Sequence, residues 1–142
     1  DVIQIFDSWA GLILPEDLQK YCYTPNLKIV NFCRDKKIPV VCFPKGLNKD
    51  YKAFNRIVKP DAISLDYDVD PVWVKENLTD VVLQGGLDPK LLMSSEEEIL
   101  KGAKKYLDIF KGLPYIFNLG HGLLPKTDPD KVSKLINFYR EY

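Results

Sequence analysis

The chain has 142 residues, 46% of them hydrophobic, so it is long enough to bury one sizeable core and too short for two domains of ordinary size. Its 20 basic and 20 acidic residues give a net charge of zero, which excludes a global field that would draw it to nucleic acid or to an anionic membrane. No apolar run reaches the roughly 18 residues of a membrane span and no signal peptide opens the chain, so we expect a cytoplasmic protein.

Five short runs rich in β-branched and aromatic residues predict the strands of one sheet, and the segments between them carry apolar residues at helical spacing. The predicted strands are 2–6, 38–43, 62–65, 81–84 and 115–118. Most of these runs are apolar throughout, as in a parallel sheet covered by helices. A capping side chain followed by proline or by acidic residues predicts four helix starts. These are Thr24-Pro25, Asp70-Pro71, Asp128-Pro129, and Ser94 or Ser95 ahead of Glu96.

A strand, a loop and a helix thus repeat about five times, which predicts an α/β fold in a single domain over residues 1–142. Two closures of the sheet satisfy this pattern: an open doubly wound sheet, or part of a (β/α)8 barrel of roughly 250 residues or more. The chain begins with Asp1 and enters a strand at once. This favours about five βα units from the C-terminal portion of a (β/α)8 TIM barrel, with the N-terminal strands missing.

The three cysteines predict no disulfide and no metal site. Cys22, Cys33 and Cys42 are odd in number, lie in apolar segments and form no C-x-x-C pair. We expect reduced, buried thiols.

Polar residues and glycines follow the predicted strands, at the edge of the sheet where α/β proteins bind ligands. His121, the only histidine, stands between two glycines, which favours a functional role. Ser8 is predicted either to donate to a substrate carboxylate or to satisfy backbone groups in a turn. Asp66 and Asp88 are candidate acids, bases or cation partners, with helix capping favoured for Asp88. Lys45 is the basic candidate for an anionic ligand.

Three stretches, in order and spacing, resemble signature stretches of the uroporphyrinogen decarboxylase family. They are Gln4-Ile5-Phe6-Asp7-Ser8-Trp9-Ala10-Gly11, Leu83-Gln84-Gly85-Gly86-Leu87-Asp88-Pro89 and Asn118-Leu119-Gly120-His121-Gly122. The resemblance implies a homodimeric carboxy-lyase in heme biosynthesis that removes the four acetate carboxyl groups of uroporphyrinogen to give coproporphyrinogen. It implies no metal and no organic cofactor, because the protonated pyrrole ring itself accepts the electrons.

The resemblance also assigns site residues. Ser8 and His121 match the family's cleft serine and histidine, which implies that both bind substrate carboxylates and that His121 is catalytic, with a proton-transfer role left open. Gly86 stands where the family usually has asparagine. The family's arginines, aspartate and tyrosine belong to its N-terminal part, so we expect the fragment to be inactive alone.

Two other functions stay open. A related methyltransferase would use a corrinoid or similar methyl donor and a zinc ion bound by cysteine and histidine, but none of the three cysteines is near His121 in the sequence. A noncatalytic barrel domain would retain the fold without the chemistry, and the glycine at position 86 favours that possibility.

Overall fold

A computed structural model describes residues 1–142 as one parallel five-stranded sheet with helices, which confirms the predicted α/β class. The strands are Ile3–Asp7 (β1), Val40–Pro44 (β2), Ala62–Leu65 (β3), Val82–Gly85 (β4) and Tyr115–Ile116 (β5). The last strand is shorter than predicted. Gly85 and Gly86 take positive φ angles of 81° and 98°, which interrupts the pairing of β4 and β5 after Gln84 and Ile116; it resumes only as an isolated bridge between Leu87 and Leu119.

The strands lie in sequence order, β1-β2-β3-β4-β5, and every neighbouring pair is parallel. The five strands pack one face of the sheet against the helices that follow the first four strands, and these residues form one core cluster. A doubly wound sheet would reverse its strand order and place helices on both faces. The observed order is therefore that of a β/α barrel, and the opposite face of the sheet is the barrel interior.

Five α-helices cover the outer face, and three of the four predicted caps are present. The helices are Thr24–Asp35 (α1), Tyr51–Val58 (α2), Pro71–Asn77 (α3), Glu96–Phe110 (α4) and Pro129–Glu141 (α5). The side chains of Asp70 and Asp128 each accept a backbone N–H of the first turn, and Ser95 forms a full capping box with Glu98. None of the helices is long and apolar enough to cross a membrane.

The cap predicted at Thr24 is absent, although α1 does begin at this residue. Residues Gln19–Tyr23 form a π-helix that runs directly into α1, and Thr24 caps nothing; its hydroxyl accepts the Gln19 side-chain amide at 3.1 Å. The physical reason lies in Pro25, which has no N–H for the carbonyl four residues earlier. A wider π-turn ahead of the proline accommodates this loss without ending the helix.

The prediction of reduced, buried cysteines is confirmed, because Cys22, Cys33 and Cys42 are free thiols buried in the core on the helix side of the sheet. Burial raises the pKa of Cys42 from 9.0 to about 12 and raises that of Cys22 further still. The thiols of Cys22 and Cys42 therefore stay protonated near neutral pH.

Candidate active site

The two predicted site residues, Ser8 and His121, line one cleft at the carboxyl end of the sheet. The cleft has a volume of about 270 Å³ and lies on the barrel-interior face. Phe6, Phe43 and Ser64 line it as well, from β1, β2 and β3. The loops after β1 and β5, at opposite edges of the sheet, thus meet at the same small space, although 113 positions separate Ser8 from His121 in the sequence.

A row of polar side chains crosses the interior face below this cleft. Gln84 is buried, and its amide donates to Ser64 Oγ at 3.3 Å and lies 3.5 Å from Gln4 Oε1. Both acceptors also line the cleft. The sequence pattern predicts mostly apolar strands and does not predict this row of polar side chains. Only the polar residues at positions 4, 64 and 84 could have indicated it.

The imidazole of His121 is exposed and held in one orientation. Its Nδ1 accepts the backbone N–H of Gly122 at 2.8 Å, and its ring lies edge-on to Phe43 with centroids 6.3 Å apart. No protein group bonds Nε2. Because Nδ1 is an acceptor, the neutral ring carries its proton on Nε2, which leaves one N–H donor free for a ligand.

Ser8 is partly buried, and its hydroxyl bonds no other group of the protein. Of the two roles predicted for it, the bond to local backbone is absent, so the hydroxyl is free to donate to a ligand. The loop after β1 is fixed by backbone contacts instead. Gly11 N–H donates to Lys45 O at 2.8 Å, and a Cβ on Gly11 would lie 2.7 Å from the backbone of Gly46. Lys45 holds this loop through its backbone, and its side chain does not line the cleft.

Asp66 connects the loops that carry the site. Its side chain is fully buried and accepts four hydrogen bonds: Oδ2 from Gly46 N–H (2.7 Å) and the Tyr51 hydroxyl (2.8 Å), Oδ1 from the N–H groups of Asp68 (2.9 Å) and Val69 (3.2 Å). Every lone-pair direction is occupied, so Asp66 is not available as the acid, base or cation partner considered from the sequence. Its position after an apolar strand was the only sequence signal of this structural role.

The glycine before His121 is required by packing against Asp66. A Cβ on Gly120 would lie 2.6 Å from Tyr67 N and 2.9 Å from the carbonyl carbon of Asp66. On Gly122 a Cβ would meet nothing within 4 Å. Packing therefore requires the glycine at position 120 and not the one at 122, a distinction that the sequence pattern does not make. Asp66 therefore supports the Ser8 loop through Gly46 and the His121 loop through Gly120.

The turn after β4 explains the glycine at position 86. Gly86 has a φ of 98°, and a Cβ there would lie 2.6 Å from Tyr106 Cε1. The ring of Tyr106, reaching in from α4, occupies the space that a side chain at 86 would need. Asp88 follows as the predicted cap: its carboxylate accepts Lys90 N–H at 2.8 Å.

The chain is similar to known proteins over its whole length. The family profile described as Uroporphyrinogen decarboxylase (URO-D) matches residues 1–142. Proteins named uroporphyrinogen decarboxylase from Jannaschia sp. (strain CCS1) and Rickettsia felis (strain ATCC VR-1525 / URRWXCal2) are each 38% identical to the chain, over 99% and 100% of its length. One from Wolbachia pipientis wMel is 39% identical over 100%. The chain spans 42% of the length of each of these relatives. The chain belongs to the uroporphyrinogen decarboxylase family.

Proposed function

We propose that the full-length protein removes the four acetate carboxyl groups of uroporphyrinogen to give coproporphyrinogen. The observation that carries the proposal is the meeting of Ser8 and His121 in one cleft, each with a donor that no protein group uses. Paired donors at the carboxyl ends of barrel strands suit a substrate whose recognised groups are carboxylates.

Ser8 Oγ–H and His121 Nε2–H would each donate to a carboxylate oxygen of the substrate. A hydrogen bond to a charged group contributes about 1.5–3 kcal/mol. This positioning holds one acetate arm while its C–C bond breaks and the released electron pair enters the protonated pyrrole ring. A proton then replaces the carbon dioxide on the arm, and the ring releases the proton that it took up at the start. In this scheme the substrate is its own electron sink, and the protein needs no metal or organic cofactor.

The cleft formed by this chain lacks the cations that a substrate with eight carboxylates requires, since neither lysine nor arginine lines it. By family resemblance, arginines, an aspartate and a tyrosine come from the part of the relatives that the chain does not cover. On this scheme the barrel is completed by N-terminal strands, and the 142-residue chain is inactive by itself.

The decisive experiment is anaerobic incubation of the full-length protein with uroporphyrinogen and separation of the products. Coproporphyrinogen formed at equal rates with and without a chelator supports the proposal. No product would favour a noncatalytic binding domain.

Stoichiometric, tightly bound zinc would favour the methyltransferase alternative. The structure offers that alternative little support: Cys22 and Cys42 lie in the core on the helix side of the sheet, while His121 lies at the interior face.

Family resemblance also supports a homodimer, which light scattering of the full-length protein tests. A mass of one chain would contradict that part of the proposal.

A further inference from the structure

A groove on the outside of the sheet, here called the basic groove, lies apart from the cleft and has a volume of about 910 Å³. It shares no residue with the cleft of Ser8 and His121. Only one of its ten lining residues, Ala53, is hydrophobic. Four cations from α2 and its flanking residues face three polar residues at and just after the end of α3: Lys49, Lys52, Arg56 and Lys59, against Asn77, Thr79 and Asp80.

The positive charge of the basic groove is not neutralised within the chain. The chain contains two ion pairs, Lys104–Asp108 and Lys134–Glu96, and neither involves the groove. The only carboxylate lining it belongs to Asp80, which accepts the Asn55 amide at 2.8 Å.

The dipole of α2 explains only two of the four cations in the basic groove. Arg56 and Lys59 lie at the C-terminal end of α2, where the helix dipole favours cations. Lys49 and Lys52 lie at its N-terminal end, where the dipole disfavours them, and the first turn contains no acidic residue. Asp50, the N-cap residue of α2, lies beside Lys49 along a neighbouring cavity but forms no ion pair with Lys49 or Lys52. A ligand is therefore the better explanation for a cationic stripe along the whole helix.

The length and lining of the groove indicate the class of that ligand. Lys49 and Lys59 are ten positions apart, which corresponds to about 15 Å along a helix and is too far for one small anion to bridge. No aromatic side chain lines the groove for stacking on bases, and one apolar residue gives little surface for a flat macrocycle. We propose that the basic groove binds an acidic helical segment of another protein, with carboxylates repeating at about i, i+3, i+7 and i+10.

A second copy of this chain does not supply such a segment. Its most acidic helix, α4, begins with Glu96, Glu97 and Glu98 but continues with lysines at 101, 104 and 105. The only other acid of α4, Asp108, is paired with Lys104 at 3.0 Å, so no row of free carboxylates spans the groove. This proposal does not depend on the decarboxylase activity, because the cleft contributes nothing to it.

The test is fluorescence anisotropy with the full-length protein and a labelled helical peptide that carries glutamates at i, i+3, i+7 and i+10. Lys52→Glu/Arg56→Glu reverses two groove charges, and Lys101→Glu/Lys105→Glu makes the same net change on exposed α4 lysines as a control. Lys52→Gln/Arg56→Gln supplies a milder variant should the first one fold poorly. A peptide with glutamines in place of the glutamates reports non-specific binding.

We expect the glutamate peptide to bind, its affinity to fall with added salt, and the groove variants to lose roughly tenfold or more. The α4 control should bind as wild type. Absence of binding, equal losses in groove and α4 variants, or equal binding of the glutamine peptide would each overturn the proposal. Tighter binding of a single-stranded oligonucleotide or of tripolyphosphate at the same groove would also overturn it, in favour of a phosphate ligand.

Discussion

Replacing Asp66 with asparagine isolates the contribution of the carboxylate that joins the two site loops. Asparagine has nearly the size of aspartate but replaces one acceptor oxygen with an NH2 group, which cannot accept a hydrogen bond. If the NH2 takes the place of Oδ2, it faces Gly46 N–H and the Tyr51 hydroxyl. If it takes the place of Oδ1, it faces the backbone N–H groups of Asp68 and Val69. Either orientation of the amide leaves two buried donors unpaired.

The magnitude follows from these four bonds. Two bonds to a charged acceptor are lost at about 1.5–3 kcal/mol each, and removing a buried charge offsets part of this, so the free energy of unfolding should fall by about 3 kcal/mol. Tyr51→Phe removes one donor and leaves Asp66 N–H without its acceptor, the Tyr51 oxygen at 3.2 Å. It should cost about 1–2 kcal/mol.

Urea unfolding of the full-length protein, followed by circular dichroism, measures both values. Asp70→Asn is the matched control, because asparagine caps a helix as well as aspartate does and should change stability by less than about 0.5 kcal/mol. Asp66→Asn should also lower the turnover of the protein that remains folded, since both site loops lose support. Equal stability of the Asp66→Asn and Asp70→Asn variants would refute the assignment of Asp66 as the connecting residue.

Three further predictions concern the glycines and the thiols. Gly120→Ala should destabilise the protein by about 1–3 kcal/mol because its Cβ would overlap the backbone after β3, whereas Gly122→Ala should leave the melting temperature unchanged; equal effects would contradict the packing argument. Gly86→Asn should destabilise less in a Tyr106→Ala background, and a double-mutant cycle without coupling would show that the ring does not exclude the side chain. Because burial raises the pKa of Cys42 from 9.0 to about 12, its thiol ionises more readily in the unfolded chain. The free energy of unfolding should therefore be lost as pH rises from 9 towards 12, and Cys42→Ala should show a shallower loss in urea titrations at each pH.

Local patterns predicted most of the secondary structure. β3 has the predicted bounds, and the caps at Asp70 and Asp128 followed from one side chain and one proline each. Thr24-Pro25 shows the same pattern of a capping side chain followed by proline, but Thr24 forms no cap because the residues before it are already helical. A capping pattern does not report whether a helix has begun earlier, because that depends on how residues 15–23 pack.

The support of the site was beyond sequence reasoning. The sequence predicts Ser8 and His121 as site residues, but the bond from Gly46 to Asp66 joins residues 20 positions apart, and Gly120 contacts a backbone more than 50 positions earlier. Tyr106 stands 20 positions after the glycine whose side chain it excludes. Such contacts arise only when neighbouring parallel strands bring their loops to one edge, and no spacing rule in a single sequence encodes them.

The central claim is that Ser8 and His121 bind the carboxylates of uroporphyrinogen during decarboxylation. Its most direct test is kcat and kcat/KM for anaerobic coproporphyrinogen formation by full-length wild type, Ser8→Ala and His121→Ala, with melting temperatures measured alongside. We predict that each variant loses at least about tenfold in kcat/KM, as expected for one lost bond to a charged group, while its melting temperature stays near that of wild type. Variants as fast as wild type would contradict the assignment of this cleft as the active site.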